Sequence, residues 1–433
     1  MLISFSLANW LSFRDEAILS MVPTSLRKFN WTLSNFSSEP KRLLPIAVIY
    51  GANASGKSNF FKGLSFLRDF IVSGREEGKP TLVTSYRLDP DMAGEPTKFS
   101  ILIRTDEKVY EYNISMNKKY VVYESLIKYE KNDKSIILFE RKRGEGIKFD
   151  ESESDPRNNF VFEGTQDNIA FLTNAFRQKV SFVEPVFNWF KNKLIFISTT
   201  SFYPVEDVFN NDSVLQKELG RYLSKYDTGI LGIKSKKIKN SKIANIIFND
   251  IENISFIYSP MGSRIHVCKE DGNCRVEVLH AKHFNKLGEE VYFDFQDESD
   301  GTKRLLDLLP AILLCKIYPE DEKVFFIDEI DRGLHPHLVY QMINEYLENC
   351  SQKSRSQCIM TTHDTDLLDQ NILRRDEIWI IDKKEESSYL YSISDYEGID
   401  GNSPIKKLYK YGRFGGIPRL VNRSLPLNKP KDE

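Results

Sequence analysis

Nowhere in the 433 residues do eighteen apolar residues follow one another, so no segment is expected to cross a bilayer as a helix. Met1 to Leu7 alternate like a strand and lack a basic leader, an apolar leader core and a cleavage site, so a cytoplasmic protein is expected. Cysteine is scarce. Cys268, Cys274, Cys315, Cys350 and Cys358 are an odd, scattered set that suits reduced thiols and not a disulfide framework. Charge is also nearly balanced, with 60 Lys and Arg against 62 Asp and Glu, so no overall electrostatic pull toward nucleic acid exists. No repeat, low-complexity tract or sustained heptad pattern occurs, which excludes a solenoid and a coiled-coil arm. What remains is ordinary globular composition, 41% hydrophobic and 28% charged, at a length that suits one large domain with an insertion.

Two clusters carry alternative readings. Cys268, Cys274, His280 and His283 fall within sixteen residues, but their C-x5-C and H-x2-H spacing misses the usual zinc-finger pattern. A hairpin that turns at Glu270 to Asn273 and uses the cysteines as small apolar fillers fits as well. Lys234, Lys236, Lys237, Lys239 and Lys242 fit either a solvated helix face or a surface that touches DNA phosphates.

Along the chain, Leu44 to Tyr50 form a continuous apolar run that suits a parallel strand buried on both faces. Short alternating segments from about 97 to 152 read as an antiparallel meander, and 158–255 as mainly helical. Apolar strands and helices alternate again toward the C-terminus. The expected fold class is α/β, a P-loop nucleotide-binding head with an antiparallel β subdomain and an inserted helical subdomain. The expected divisions are 1–157, 158–255 and 256–433.

Four motifs carry the chemistry. Gly51-Ala52-Asn53-Ala54-Ser55-Gly56-Lys57-Ser58, followed by Asn59, matches G-x-x-x-x-G-K-S between a strand and a helix. Its backbone N–H groups would curl round a β-phosphate, Lys57 would reach the β- and γ-phosphates, and Ser58 would hold Mg²⁺. Val324 to Ile327 form an apolar strand ending in Asp328, placed for the Mg²⁺ side, and Glu329, placed to orient or deprotonate the attacking water. His363 follows another short strand, 35 residues after Asp328, where an imidazole can sense a γ-phosphate. Ser299-Asp300-Gly301 stands before an apolar helix, 27 residues ahead of Asp328 counted from Gly301. That helix N-terminus would bind phosphate, though a simple N-cap explains the serine equally well.

This order of motifs resembles the ABC ATPase head shared by SMC, RecF and OLD proteins. The resemblance implies ATP and Mg²⁺ as ligands and a head-to-head homodimer or higher oligomer. Ser299 and Gly301 would complete the partner's nucleotide site, with Gly333-Leu334-His335-Pro336 as the loop across the interface. The glutamine such heads place near Mg²⁺ has two candidates, Gln166 and Gln178. A closer resemblance rests on Asn9-Trp10-Leu11-Ser12-Phe13-Arg14-Asp15-Glu16, Asp328-Glu329-Ile330-Asp331 and Tyr411-Gly412-Arg413-Phe414-Gly415-Gly416-Ile417-Pro418. These are similar to abortive-infection ATPases of the AbiLi/RloA type, which implies anti-phage defence alongside a separately encoded effector. About 70 residues follow His363, with no clustered acids of the Toprim kind that OLD proteins carry. Two functions stay open: an ATPase that controls an effector protein, and a DNA-processing ATPase related to recombination proteins.

Overall fold

The structure, a computed structural model, describes residues 1–130, 134–198, 213–238, 257–258, 264–270, 273–368, 371–399 and 403–418. For 237–238, 257–258, 264–270 and 273–277 it describes the backbone only.

A six-stranded sheet lies at the centre. Its order is Leu194–Ile197, Val324–Ile327, Gln357–Thr361, Ile46–Tyr50, Ile378–Lys384 and Ser387–Ser392. The first five strands are parallel and the last is antiparallel. Both faces are covered, which is why these strands read as unbroken apolar runs. Ala47 and Ile49 face one core, while Ile46, Val48 and Tyr50 face the other. Phe326 and Phe325 divide in the same way on the neighbouring strand.

The first core is shared with a seven-stranded antiparallel sheet, in which Leu2–Ala8 lies between Thr97–Thr105 and Ala17–Ser20. Helix Lys57–Ser73 runs between the two sheets. Its Phe60 ring meets Phe5 at 5.5 Å, Phe13 at 5.9 Å and Phe326 at 6.4 Å. Burying a side chain of that size contributes roughly 2–3 kcal/mol, so the helix that begins at the phosphate loop is firmly seated. The second core holds helices Asp300–Ile317 and Pro336–Asn349, with helix Ser213–Lys225 packed on the first of these.

The helical reading of 158–255 needs correction at two places. Leu194–Ile197 is the edge strand of the central sheet, paired in parallel with Val324–Ile327. Gly232–Ile238 is a strand paired with Asn273–Phe284. Ile233 and Ser235 alternate there with exposed Lys234 and Lys236, a period of two that the run of lysines hides. Lys239 and Lys242 lie outside the described residues. The Cys/His segment is a hairpin, Arg264–Glu270 with Asn273–Phe284. His280 and His283 stand three apart on one strand and so project from opposite faces, which prevents them from converging on one ion. Cys268 and Cys274 have side chains outside the described set.

Candidate active site

The phosphate loop begins where the central strand Ile46–Tyr50 ends and closes at the N-terminus of helix Lys57–Ser73. The chain turns tightly here, and the residues obey that need. Gly56 caps the helix at φ 119°, where a Cβ would overlap Ser388 and approach Ser12 Oγ to 2.9 Å. At Gly51 a Cβ would lie 2.5 Å from the Ile381 carbonyl oxygen. Ala54 adopts a left-handed φ of 61°. Asn53 and Ala54 are exposed at the rim, and Ser55, Gly56 and Lys57 are buried behind them.

A hydroxyl network supports the loop from beneath. Ser388 Oγ donates to the Ser55 carbonyl at 2.5 Å and lies 2.8 Å from Ser12 Oγ. Asn59 Nδ2 donates to Ser12 Oγ at 2.9 Å, and Trp10 Nε1 donates to the Asn59 carbonyl at 2.8 Å. Ser12 and Trp10 belong to the Asn9 to Glu16 segment, which thereby gains a structural role under the phosphate loop.

Lys57 Nζ donates to the Gly51 and Ala52 carbonyls at 2.7 and 3.0 Å. Burial pushes its ammonium down to about 8, opposed by Asp328, Glu329 and Asp331. Those acids therefore share one electrostatic neighbourhood with the lysine. His363 lies there too, lowered from its ordinary value by burial and then by Lys57. Its backbone N–H donates to Asp331 Oδ2 at 3.2 Å.

Thr361 organises the acid pair. Its hydroxyl donates to Asp328 Oδ1 at 2.6 Å and accepts from the Glu329 N–H at 2.8 Å. Glu329 has φ 50°, a left-handed conformation that a non-glycine residue holds only when its surroundings fix it. Arg304 supplies the rest of that fixation, donating to the carbonyls of Asp328 at 2.8 Å, Glu329 at 3.0 Å and Ser198 at 3.3 Å. Neither Thr361 nor Arg304 stood out in the sequence, although Thr361 lies two residues before His363 and Arg304 three residues after Gly301.

The residues fit a Mg²⁺–nucleotide. Helix Lys57–Ser73 has no acid in its first turn, so its N-terminal N–H groups and dipole remain uncompensated by the chain. The buried Ser55 hydroxyl has no hydrogen-bond partner in the described structure. Ser58 follows Lys57 in the first helical turn.

The Ser299-Asp300-Gly301 segment, or signature segment, is placed differently. Ser299 caps helix Asp300–Ile317, accepting from the Thr302 N–H at 3.1 Å. Ser299 and Asp300 are exposed. At Gly301 a Cβ would sit 2.8 Å from the Gly333 carbonyl oxygen, so the signature and the Gly333 to Pro336 loop of one chain lie side by side. Gln166 and Gln178 are both exposed on the flank of the antiparallel sheet and touch none of these residues among the described contacts.

A phosphate loop at the carboxyl edge of a parallel sheet, with an acid pair on the second strand over, defines the P-loop NTPase class. The chain belongs to the family described as "AAA domain, putative AbiEii toxin, Type IV TA system", whose profile matches residues 46–369. No curated protein matches the chain. Among solved structures it is similar to the SMC head domain from Thermotoga maritima, at 11% identity and a TM-score of 0.39, covering 90% of this chain and 98% of that one. It is also similar to an SMC head bound to the C-terminal winged-helix domain of ScpA, at 13% identity and a TM-score of 0.40, covering 90% and 97%. No helix among the described residues is long and apolar enough to cross a membrane.

Proposed function

We propose that the chain binds and hydrolyses ATP with Mg²⁺, does so as a head-to-head pair, and uses the cycle to control a separately encoded effector in anti-phage defence. Lys57 and the N–H groups of the phosphate loop bind the phosphates. Ser58 and Asp328 would hold Mg²⁺, which would supply positive charge to offset the negative charge developing on the phosphoryl group. Glu329 orients the attacking water and accepts its proton, and His363 faces the γ-phosphate as a neutral donor. Ser299 and Gly301 complete the site of the facing copy.

The single observation that carries the paired arrangement is the exposed helix start at Ser299 and Asp300, set beside the exposed Gly333 loop. The positive end of that outward-facing helix, capped by Ser299 in its own chain, favours an anion brought by the facing copy. The defence assignment follows the family description, which names a putative toxin of a toxin–antitoxin system.

The test is the mass of Glu329→Gln protein with and without ATP–Mg²⁺, expressed together with its neighbouring gene product. A stable complex containing both proteins supports an effector-controlling ATPase. An ATP-dependent dimer that ignores the neighbour and binds duplex DNA in a salt-sensitive way supports the DNA-processing alternative.

A further inference from the structure

The family profile ends at residue 369, yet the segment Pro404 to Pro418 reaches back to the phosphate loop. Two contacts of different kinds bring it there.

The first runs through Gly415 and Gly416, both left-handed at φ 64° and 66°. A Cβ on Gly416 would stand 2.8 Å from Ile380 Cγ2 and 3.5 Å from the Cα of Gly51, the first residue of the phosphate loop. The surrounding chain holds this turn from several sides. The Gly416 N–H donates to Asp382 Oδ1 at 3.0 Å, Tyr409 Oη donates to the Gly416 carbonyl at 2.8 Å, and Tyr391 and Tyr396 both donate to the Phe414 carbonyl. The Tyr409 ring also packs edge-on against Tyr50, the residue before Gly51, at 5.7 Å. The left-handed φ and the close approach to Ile380 call for glycine at 416, which lets the turn lie in contact with Gly51.

The second contact starts on helix Ile405–Lys410. Lys406 Nζ pairs with Asp366 Oδ1 at 2.8 Å. The Asp366 N–H donates to Asp364 Oδ1 at 2.8 Å, and the Asp364 N–H donates to Thr362 Oγ1 at 3.0 Å. His363 is therefore carried on a turn whose far end is tied to the C-terminal helix.

We propose that residues 403–418 form a positioning element for the nucleotide site with two separable arms. Gly415 and Gly416 brace the phosphate loop and so act on nucleotide affinity. Lys406 sets the turn that carries His363 and so acts on turnover. The proposal rests on the reading of Gly51 to Ser58 as the ATP site. A segment that merely covers the core through Ile405, Tyr409 and Phe414 would change stability alone.

Full-length variants separate these cases through the Kd for ATP–Mg²⁺, kcat and the melting temperature. Gly416→Ala is expected to weaken ATP binding by about tenfold or more, because a displacement of about 1 Å in a preorganised site has effects of that order. Tyr409→Phe, which keeps the ring and removes the hydroxyl, tests the same arm if the alanine variant does not fold, and is expected to raise Kd by a smaller factor. Lys406→Ala is expected to lower kcat by roughly tenfold at unchanged Kd, with Lys406→Arg restoring most of the rate. Lys57→Ala is the control. If it loses ATP binding while Tyr409→Phe and Lys406→Ala move only the melting temperature, the positioning role is overturned and the ATP-site reading survives. If Lys57→Ala binds ATP normally, both readings fall.

Discussion

At the phosphate loop, the same chain holds backbone and side chains from beneath and from behind: Ser388, Ser12 and Asn59 under the loop, the Ile378–Lys384 strand beside it and Phe60 anchoring the helix. The signature loop has no such enclosure. Among the described residues, Ser299 is bonded only within its own helix start, Asp300 stands in solvent, and Gly301 leans on a loop that is itself exposed. On the proposed reading, the difference separates two jobs: a loop that binds phosphate inside one chain can be preorganised fully by that chain, whereas a loop that serves a second chain has to stay open until the partner arrives.

The largest effect expected from breaking the first region is at Lys57. Lys57→Ala should reduce ATP affinity by about 10² or more, read by calorimetry, since the residue supplies the one buried cation of the loop. Next comes Glu329→Gln, which keeps binding but should lower kcat by on the order of 10², because water positioning and proton acceptance go together at that carboxylate. Under ATP this variant should accumulate as a closed pair in light scattering; a monomer would break the comparison. Ser299→Arg sharpens the comparison from the other side. The monomer's ATP affinity should stay within about twofold of the parent while steady-state hydrolysis falls by about 10², since the defect sits in the facing copy's site.

The smallest effect expected is on stability. Burial holds the Lys57 ammonium near 8, below its ordinary 10.5. The folded state is therefore penalised while the lysine is charged in both states, below about pH 8, and the penalty disappears as pH rises from about 8 toward 10.5. Lys57→Met should raise stability without nucleotide at pH 7 by on the order of 1 kcal/mol, after allowance for solvent screening, and the gain should shrink across that window. Chemical denaturation at pH 7 and pH 9.5 checks the sign. An unchanged or lower stability at pH 7 would show that the lysine is not strained by burial.

Much of the phosphate side was legible in the sequence because its determinants are local. A glycine at the left-handed position 56, a lysine and serine at a helix start, and acids at a strand end are each written within eight residues. The central sheet was legible for a similar reason, since burial on both faces forces unbroken apolar runs such as Ile46 to Tyr50 and Val324 to Ile327. What escaped is built across long separations. Ser12 and Ser388 meet beneath Gly56, and Gly416 meets Gly51, without a pattern that announces either encounter. Arg304 was visible only as one basic residue near a helix start, and its grip on the Asp328 and Glu329 carbonyls depends on tertiary packing. Gly232–Ile238 was misread because lysine suits a solvated helix and an exposed strand face alike, so its alternation carried little hydrophobic contrast.

The central claim is that each nucleotide site is finished by a second copy, and complementation tests it most directly. Ser299→Arg and Glu329→Gln proteins, each inactive alone, would be mixed in equal amounts and their joint ATP hydrolysis measured. A head-to-head pair leaves one intact site in every mixed dimer, so recovery to about a quarter of the parent rate is expected from random pairing. A mixture no more active than its two components would contradict the account and place Ser299 in its own chain's site or outside the reaction altogether.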